Sequence, residues 1–125
     1  MSLFISDFGG ARLKGTWSIC FTPGFVPDDF FDKPICFEDD IYSLGKLLIE
    51  LFGKYNQNEI GKINYDNYSE YLTFSMFSNV YEDNSDDYST KYKICDYVQE
   101  CINENSKKRP SLDTLLKFFE KINIV

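Results

Sequence analysis

The chain has 125 residues, of which 43% are hydrophobic, and it carries a formal net charge of -7. This length and apolar content predict one small folded domain rather than a disordered segment. The acidic charge argues against nucleic acid or an anionic membrane as a partner, because both repel a negative surface. The sequence shows no signal peptide and no apolar run of the ~20 residues that a spanning helix needs.

The cysteines and the absence of histidine exclude several kinds of site. Cys20, Cys36, Cys95 and Cys101 lack C-x-x-C spacing, and with no histidine in the chain a zinc site is not expected. Ser-His-Asp and Cys-His catalytic sites are excluded for the same reason. The helical patterning favours free, buried thiols in a reducing, cytoplasmic setting, and two disulfides are the alternative.

The N-terminal segment, residues 1–37, has irregular patterning, with glycines and prolines spread along it. This composition predicts a long ordered loop. It leaves room for at most one short helix, near Pro27 to Phe31, where proline suits a first turn.

The strongest helical pattern covers residues 39–53, where apolar residues recur at three- and four-residue steps. Asp39 and Asp40 lie at the predicted N-terminus, where the helix dipole favours negative charge, and Gly53 can end the helix. Apolar residues are frequent enough that we expect this helix to be buried on most sides.

The remainder of the chain predicts three more helices. Residues 54–91 are rich in Asn, Tyr, Asp and Ser and are assigned mainly to loop, with one helix near 68–80. Two further helices are expected over 92–103 and 111–122, the last with Ser111 as its N-cap. The predicted fold class is therefore mainly α, in one domain.

Four short motifs follow one another along the chain. They are Asp7-Phe8-Gly9, Phe21-Thr22-Pro23-Gly24-Phe25-Val26-Pro27-Asp28-Asp29, Asp40-Ile41-Tyr42-Ser43-Leu44-Gly45 and Lys107-Lys108-Arg109-Pro110-Ser111. In order and spacing they resemble the D-F-G, G-T-P-G-Y-x-A/P-P-E, D-x-[WY]-S-x-G and K-x-R-P-[ST] motifs of protein kinases. The resemblance implies a partial kinase domain over 1–125. Residues 1–37 would be the activation segment with its following loop, and residues 38–125 would be a helical subdomain of the large C-terminal lobe.

The resemblance assigns a role to each residue of the first motif. Asp7 would coordinate the magnesium ion that bridges the ATP phosphates in an intact kinase, because a hard cation prefers carboxylate oxygen. Phe8 would pack beneath it and set the active or inactive arrangement. Gly9 would give the backbone the freedom that a moving loop needs.

The second motif implies serine/threonine specificity. Thr22 corresponds to the threonine that contacts the catalytic aspartate in serine/threonine kinases, and Gly24 lies in the same part of the activation segment. Thr16 and Ser18 lie where activating phosphorylation often occurs, although an exposed loop hydroxyl that is never modified is the simpler interpretation.

Three further residues have structural roles in the family. Asp29 and Arg109 correspond to a buried ion pair, although Asp29 is one methylene shorter than the family's glutamate. Asp28 replaces a proline and could compete for Arg109. Asp40 would accept hydrogen bonds from backbone amides of the catalytic loop, or would simply begin a helix.

Elements needed for catalysis are missing from these 125 residues. The sequence contains no G-x-G-x-x-G loop, no V-A-I-K lysine, no partner glutamate helix and no H-R-D-x-x-x-x-N loop. Without them nothing positions the γ-phosphate or receives the substrate proton. We therefore predict that the chain alone is inactive and binds no cofactor, whereas Mg and ATP belong to the parent kinase.

Two functions remain open at this point. The chain is either a fragment of a serine/threonine kinase or a free-standing, non-catalytic, pseudokinase-like interaction or inhibitor module. In kinases the helix at 41–52 rests against a preceding helix that this chain lacks, so its apolar face would be exposed in a monomer. We therefore expect a protein partner: a second copy in a homodimer, the remaining kinase portion, or another kinase.

Overall fold

The computed structural model describes residues 10–17, 21–53, 55–71 and 87–122. Within these ranges the fold is mainly helical and has no strands, so the coarse fold class is confirmed. None of the helices described is long and apolar enough to cross a membrane. The elements in chain order are α1 (Phe37–Gly53), α2 (Gln57–Lys62), α3 (Tyr68–Tyr71), α4 (Asp87–Cys101), a 3-10 turn (Ser106–Lys108) and α5 (Leu112–Ile122).

Helix α1 is the central element, and a side chain of its first turn caps its N-terminus. Asp39 accepts the backbone N–H of Cys36 at 2.9 Å, as the acidic residue of a capping box does. The acidic first turn also complements the helix dipole. The helix begins at Phe37, slightly earlier than predicted, and ends at Gly53 as predicted.

Helix α4 packs against α1 at Gly45, where the missing side chain lets the two helices approach closely. A Cβ atom at Gly45 would lie 2.6 Å from Cβ of Cys101 and 2.9 Å from Cγ2 of Ile102. Ile94, Val98 and Cys101 of α4 are buried, as is Ile102 directly after it. The core of the domain therefore lies between α1 and α4.

A buried lysine joins α1 to α2. Lys46 is only 2% exposed, and its Nζ donates to the carbonyl oxygen of Ile60 at 2.7 Å and to that of Ile63. Both carbonyls lie at the C-terminal end of α2, where the helix dipole favours a cation. Helix α2 was not predicted, because its residues belong to a polar tract assigned to loop. Asn56 caps this helix by accepting the N–H of Glu59.

The last helix has the predicted N-cap, and only part of its apolar stripe is buried. Ser111 Oγ accepts the backbone N–H of Thr114 at 3.1 Å, at the start of α5. Leu115 is 1% exposed, whereas Leu112 and Leu116 on the same apolar stripe are 64% and 55% exposed. The apolar arc of α5 is therefore covered along only one of its edges.

The described part of the N-terminal segment consists of turns. In place of the predicted short helix near Pro27 there is a turn, closed by the N–H of Phe30 and the carbonyl of Pro27 at 3.0 Å. Two backbone hydrogen bonds hold distant parts of the segment together. They run from the Gly15 N–H to the Ile35 carbonyl at 2.9 Å and from the Ile35 N–H to the Thr16 carbonyl at 2.8 Å. The segment therefore folds back on itself beside α1.

Candidate functional site at the start of helix α1

Three of the four motifs meet at the N-terminal half of α1. Arg109, from the K-x-R-P turn, donates from Nη1 to the carbonyl oxygen of Glu38 at 3.0 Å. Ser43, from the D-x-[WY]-S-x-G motif, donates from Oγ to the carbonyl oxygen of Phe25 at 2.6 Å. We call this meeting point the motif junction, defined by Phe25, Glu38, Asp39, Ser43 and Arg109.

Arg109 is fully enclosed at the junction. Its side chain is 0% exposed, and its Nε donates to the carbonyl oxygen of Asn103 at 2.8 Å. The guanidinium carbon lies 5.0 Å from the ring centroid of Tyr42, and Nη1 lies 3.8 Å from Oδ1 of Asp39. Two carbonyls, a carboxylate and an aromatic face therefore replace the water that this cation loses on burial.

Asp39 is the anionic centre of the junction. It is 4% exposed, and its two oxygens lie 2.9 and 3.1 Å from Nζ of Lys33. Partial burial acts to lower the pKa of Lys33, but the hydrogen bond and the charge of Asp39 outweigh it, and the pKa is raised. Burial raises the pKa of Cys36, so this thiol stays protonated beside the pair. Asp39 thus holds Lys33, the Cys36 amide and Arg109 together.

The ion pair of Arg109 differs from the one that the resemblance implied. Arg109 pairs with Asp39 and not with Asp29, and Asp29 Oδ1 and Arg109 Nη2 are both buried without a hydrogen-bond partner. Asp39 reaches the guanidinium because the first turn of α1 carries it there. Asp29 lies in a separate turn, and its side chain is one methylene shorter than a glutamate. Asp28, the expected competitor, is exposed.

Asp40 lines an open groove of about 1010 Å³, together with Phe25, Asp39 and Ser43 of the junction. It is exposed, and its pKa is raised by partial burial in the groove and by the charge of Asp39. The α1 side of the groove continues with Leu44, Leu47 and Glu50. A carboxylate at this position is accessible to hydrogen-bond donors from outside the chain.

The T-P-G-F stretch forms a β-turn at the edge of the same groove. The N–H of Phe25 donates to the carbonyl oxygen of Thr22 at 3.1 Å, and Gly24 has φ 87°. A positive φ at the third position is typical of a type II turn, which explains the Pro-Gly pair. Thr22 and Thr16 are exposed, and the Thr16 hydroxyl donates to the carbonyl oxygen of Leu13 at 2.6 Å.

Several predicted residues lie outside the described part of the chain, namely Asp7, Phe8, Gly9, Ser18 and Cys20. Within the described ranges, no group of three or more acidic or cysteine side chains could hold a metal ion. The described residues thus do not by themselves form a magnesium site.

The cysteines that the structure describes are free, as predicted. Cys95 and Cys101 are buried, and burial raises their pKa values to about 11 and about 12. Such thiols stay protonated and unreactive near neutral pH, which is the behaviour of core residues.

Sequence reasoning missed two side chains that organise the structure around α1. Asp39 was assigned only to the helix dipole, although an acidic residue at the third helical position is a signal for contact with the preceding backbone. Lys46 lies four residues after Tyr42 and three before Ile49, on the same buried face. A lysine at that spacing indicates a buried cation that needs carbonyl partners.

No family model, curated protein or solved structure matches this chain. The resemblance to protein kinases therefore depends on the four motifs and on the contacts described above.

Proposed function

We propose that the chain is the C-terminal portion of a serine/threonine protein kinase domain and that it is inactive without the remaining portion. The observation that carries the proposal is the motif junction. Ser43 of the third motif donates to the carbonyl of Phe25 in the second. Arg109 of the fourth lies 5.0 Å from the ring centroid of Tyr42 in the third and donates to the carbonyl of Glu38 just before it. Chance matches to short motifs give no reason for such contacts, whereas motifs that form one structural unit do.

In this proposal the chain contributes a support and an activation segment. Asp40, exposed on the groove, would accept hydrogen bonds from the backbone amides of a catalytic loop that the remaining portion supplies. Asp7 would contribute one carboxylate to a magnesium ion that the complete kinase binds with ATP. The γ-phosphate would be positioned and the substrate proton received by residues outside these 125 positions. The proposed partner is a protein in the cytoplasm. Nucleic acid and membrane are not proposed as partners.

The first test is the intact mass of the native protein recovered from its own source. A mass more than double the 14.6 kDa of this chain, together with magnesium-dependent phosphorylation of a protein substrate, would support the kinase proposal. A native mass near 14.6 kDa would overturn it and would favour the alternative, a non-catalytic module that binds or inhibits other kinases.

A second test uses matched variants of the longer native protein. Asp7→Asn should abolish phosphoryl transfer, because an amide cannot replace the negative carboxylate at a magnesium ion. Asp66→Asn removes an exposed carboxylate outside the four motifs and should leave the activity unchanged. Equal activities for the two variants would contradict the role given to the first motif.

A further inference from the structure

Four leucines on two helices are exposed, and the half-buried Leu44 lies beside two of them on α1. Leu47 and Leu51 of α1 are 49% and 61% exposed, and Leu112 and Leu116 of α5 are 64% and 55% exposed. At 100° per residue, Leu44, Leu47 and Leu51 lie within about 60° of one another around α1. We call these five residues the leucine face.

The two halves of the leucine face border the same buried cluster. Leu44 of α1 and Phe119 of α5 both pack against the cluster of Ile41, Cys101 and Leu115. The exposed stripes of the two helices therefore start from a common point. Contiguous exposed apolar patches on a small domain mark interaction sites.

Carboxylates lie within or beside both stripes. On α1, Asp40 lies in line with the leucines, and Glu50 lies about 60° from Leu47 around the helix. On α5, Glu120 and Asp113 lie about 40° and 60° from Leu116. Asp40, Asp113 and Glu120 are exposed, and Glu50 is partly exposed. The helical rim of the leucine face is therefore acidic.

Three cations lie near this rim. Lys117 of α5 lies about 100° from Leu116, beyond the two carboxylates. Arg12 and Lys14 line the same groove as Asp40 and Glu50. There the Arg12 guanidinium donates to the neighbouring backbone carbonyl, and Nζ of Lys14 lies 5.3 Å from the ring centroid of Phe37.

We propose that the leucine face binds a basic amphipathic helix of a partner protein. Its apolar side would pack on the leucines, and its flanking Lys and Arg would face Asp40, Glu50, Asp113 and Glu120. Helix-in-groove recognition of this kind combines apolar anchors with charge complementarity at the rim. A second copy of the chain fits less well, because it would set two acidic rims and two net charges of -7 against each other. The inference rests on exposure and charge; under the kinase proposal the partner helix would belong to the remaining kinase portion.

The test uses two synthetic helical peptides of about 14 residues, long enough for four turns. One combines leucine with lysine, and the other has glutamate in place of every lysine. We expect the leucine–lysine peptide to bind the 125-residue chain at least about tenfold more tightly in fluorescence anisotropy, and binding to weaken as salt is added. Equal affinity for the two peptides would overturn the charge recognition.

Variants locate the binding surface. Leu47→Asn and Leu116→Asn should each weaken the leucine–lysine peptide by about tenfold, because each removes an apolar anchor. Leu13→Asn is the control, since Leu13 is 82% exposed and belongs to the N-terminal segment. Melting curves should be nearly unchanged for all three, because each leucine is already exposed. Full binding by the two leucine-face variants would show that the peptide binds elsewhere.

Sedimentation velocity without peptide tests whether a second copy of the chain covers the leucine face. We expect a monomer. A dimer that Leu47→Asn converts to monomer would assign the leucine face to a second copy and overturn the proposal. The kinase proposal is decided separately, by the native mass and the activity of the Asp7→Asn variant.

Discussion

Replacing Asp39 by asparagine should destabilise the domain strongly, whereas the same change at Asp29 should not. Asp39→Asn leaves Arg109, with a fully buried side chain, without its anionic partner and weakens the contacts of Lys33. Asp29→Asn removes a charge whose Oδ1 is already buried without a hydrogen bond. The two variants are chemically identical changes and differ only in the network around them.

The magnitude follows from the geometry of the junction. At 3.8 Å, the attraction between Arg109 and Asp39 is about 4 kcal/mol at an effective dielectric of roughly 20. Removing one member of a buried pair costs about 3–5 kcal/mol. We expect the lower end, about 3 kcal/mol, because Lys33 is partly exposed and Arg109 keeps its two carbonyl acceptors. For Asp29→Asn we expect a change of about 1 kcal/mol or less.

Urea unfolding followed by circular dichroism measures both effects. For a domain of this size, a loss of about 3 kcal/mol corresponds to a melting temperature lower by roughly 10 °C. In a double-mutant cycle with Arg109→Ala, Asp39→Asn should show a coupling energy above about 1 kcal/mol, and Asp29→Asn a coupling near zero. If Asp29→Asn proved the costlier variant and the one coupled to Arg109, the reasoning from the junction would be refuted.

Three further predictions concern the helices. Gly45→Ala should cost about 2 kcal/mol in urea unfolding, because the new Cβ would lie 2.6 Å from Cβ of Cys101. Gly61→Ala is its control and should be near neutral or stabilising, since the nearest atom to its Cβ lies at 3.6 Å. Burial lowers the pKa of Lys46 from 10.5 to about 8, so the unfolded chain binds more protons between these values and stability rises with pH. Relative to Lys46→Met, the unmodified chain should gain about 2 kcal/mol of unfolding free energy between about pH 7 and pH 9.5. Ser111→Ala should cost about 1 kcal/mol in thermal unfolding, because α5 loses its N-cap.

Each of these predictions has a clear contrary result. Equal losses for the two glycine variants would mean that α1 and α4 do not approach closely at Gly45. A difference between the Lys46→Met variant and the unmodified chain that stayed constant with pH would mean that Lys46 keeps an ordinary pKa. An unchanged melting temperature for Ser111→Ala would mean that the hydroxyl contributes nothing to the start of α5.

The helices α1, α4 and α5 were predictable because their signals are local. The three- and four-residue spacing of apolar residues, the acidic first turn of α1 and the hydroxyl of Ser111 act within one or two helical turns. Helix α2 was missed because its six residues are mostly polar, and its stability depends on the buried Lys46 from another helix. A signal that comes from a distant residue is absent from the local pattern.

The candidate site was predicted in part. The resemblance implied a buried ion pair for Arg109, and its side chain is fully buried, at the start of α1. Its carboxylate partner was not predicted correctly, because Asp29 and Asp39 are both acidic residues at plausible sequence positions. Only the packing of the first turn of α1 against the K-x-R-P turn decides which one reaches the guanidinium.

Which sides of the helices are covered was also decided by the tertiary structure. The sequence by itself determined that α1 and α5 carry wide apolar arcs. It did not determine that Ile49 and Leu115 would be fully buried while Leu51 and Leu112 stay exposed. Periodicity reports the apolar character of a helical face, but burial depends on which surfaces of the folded chain are within reach of that face.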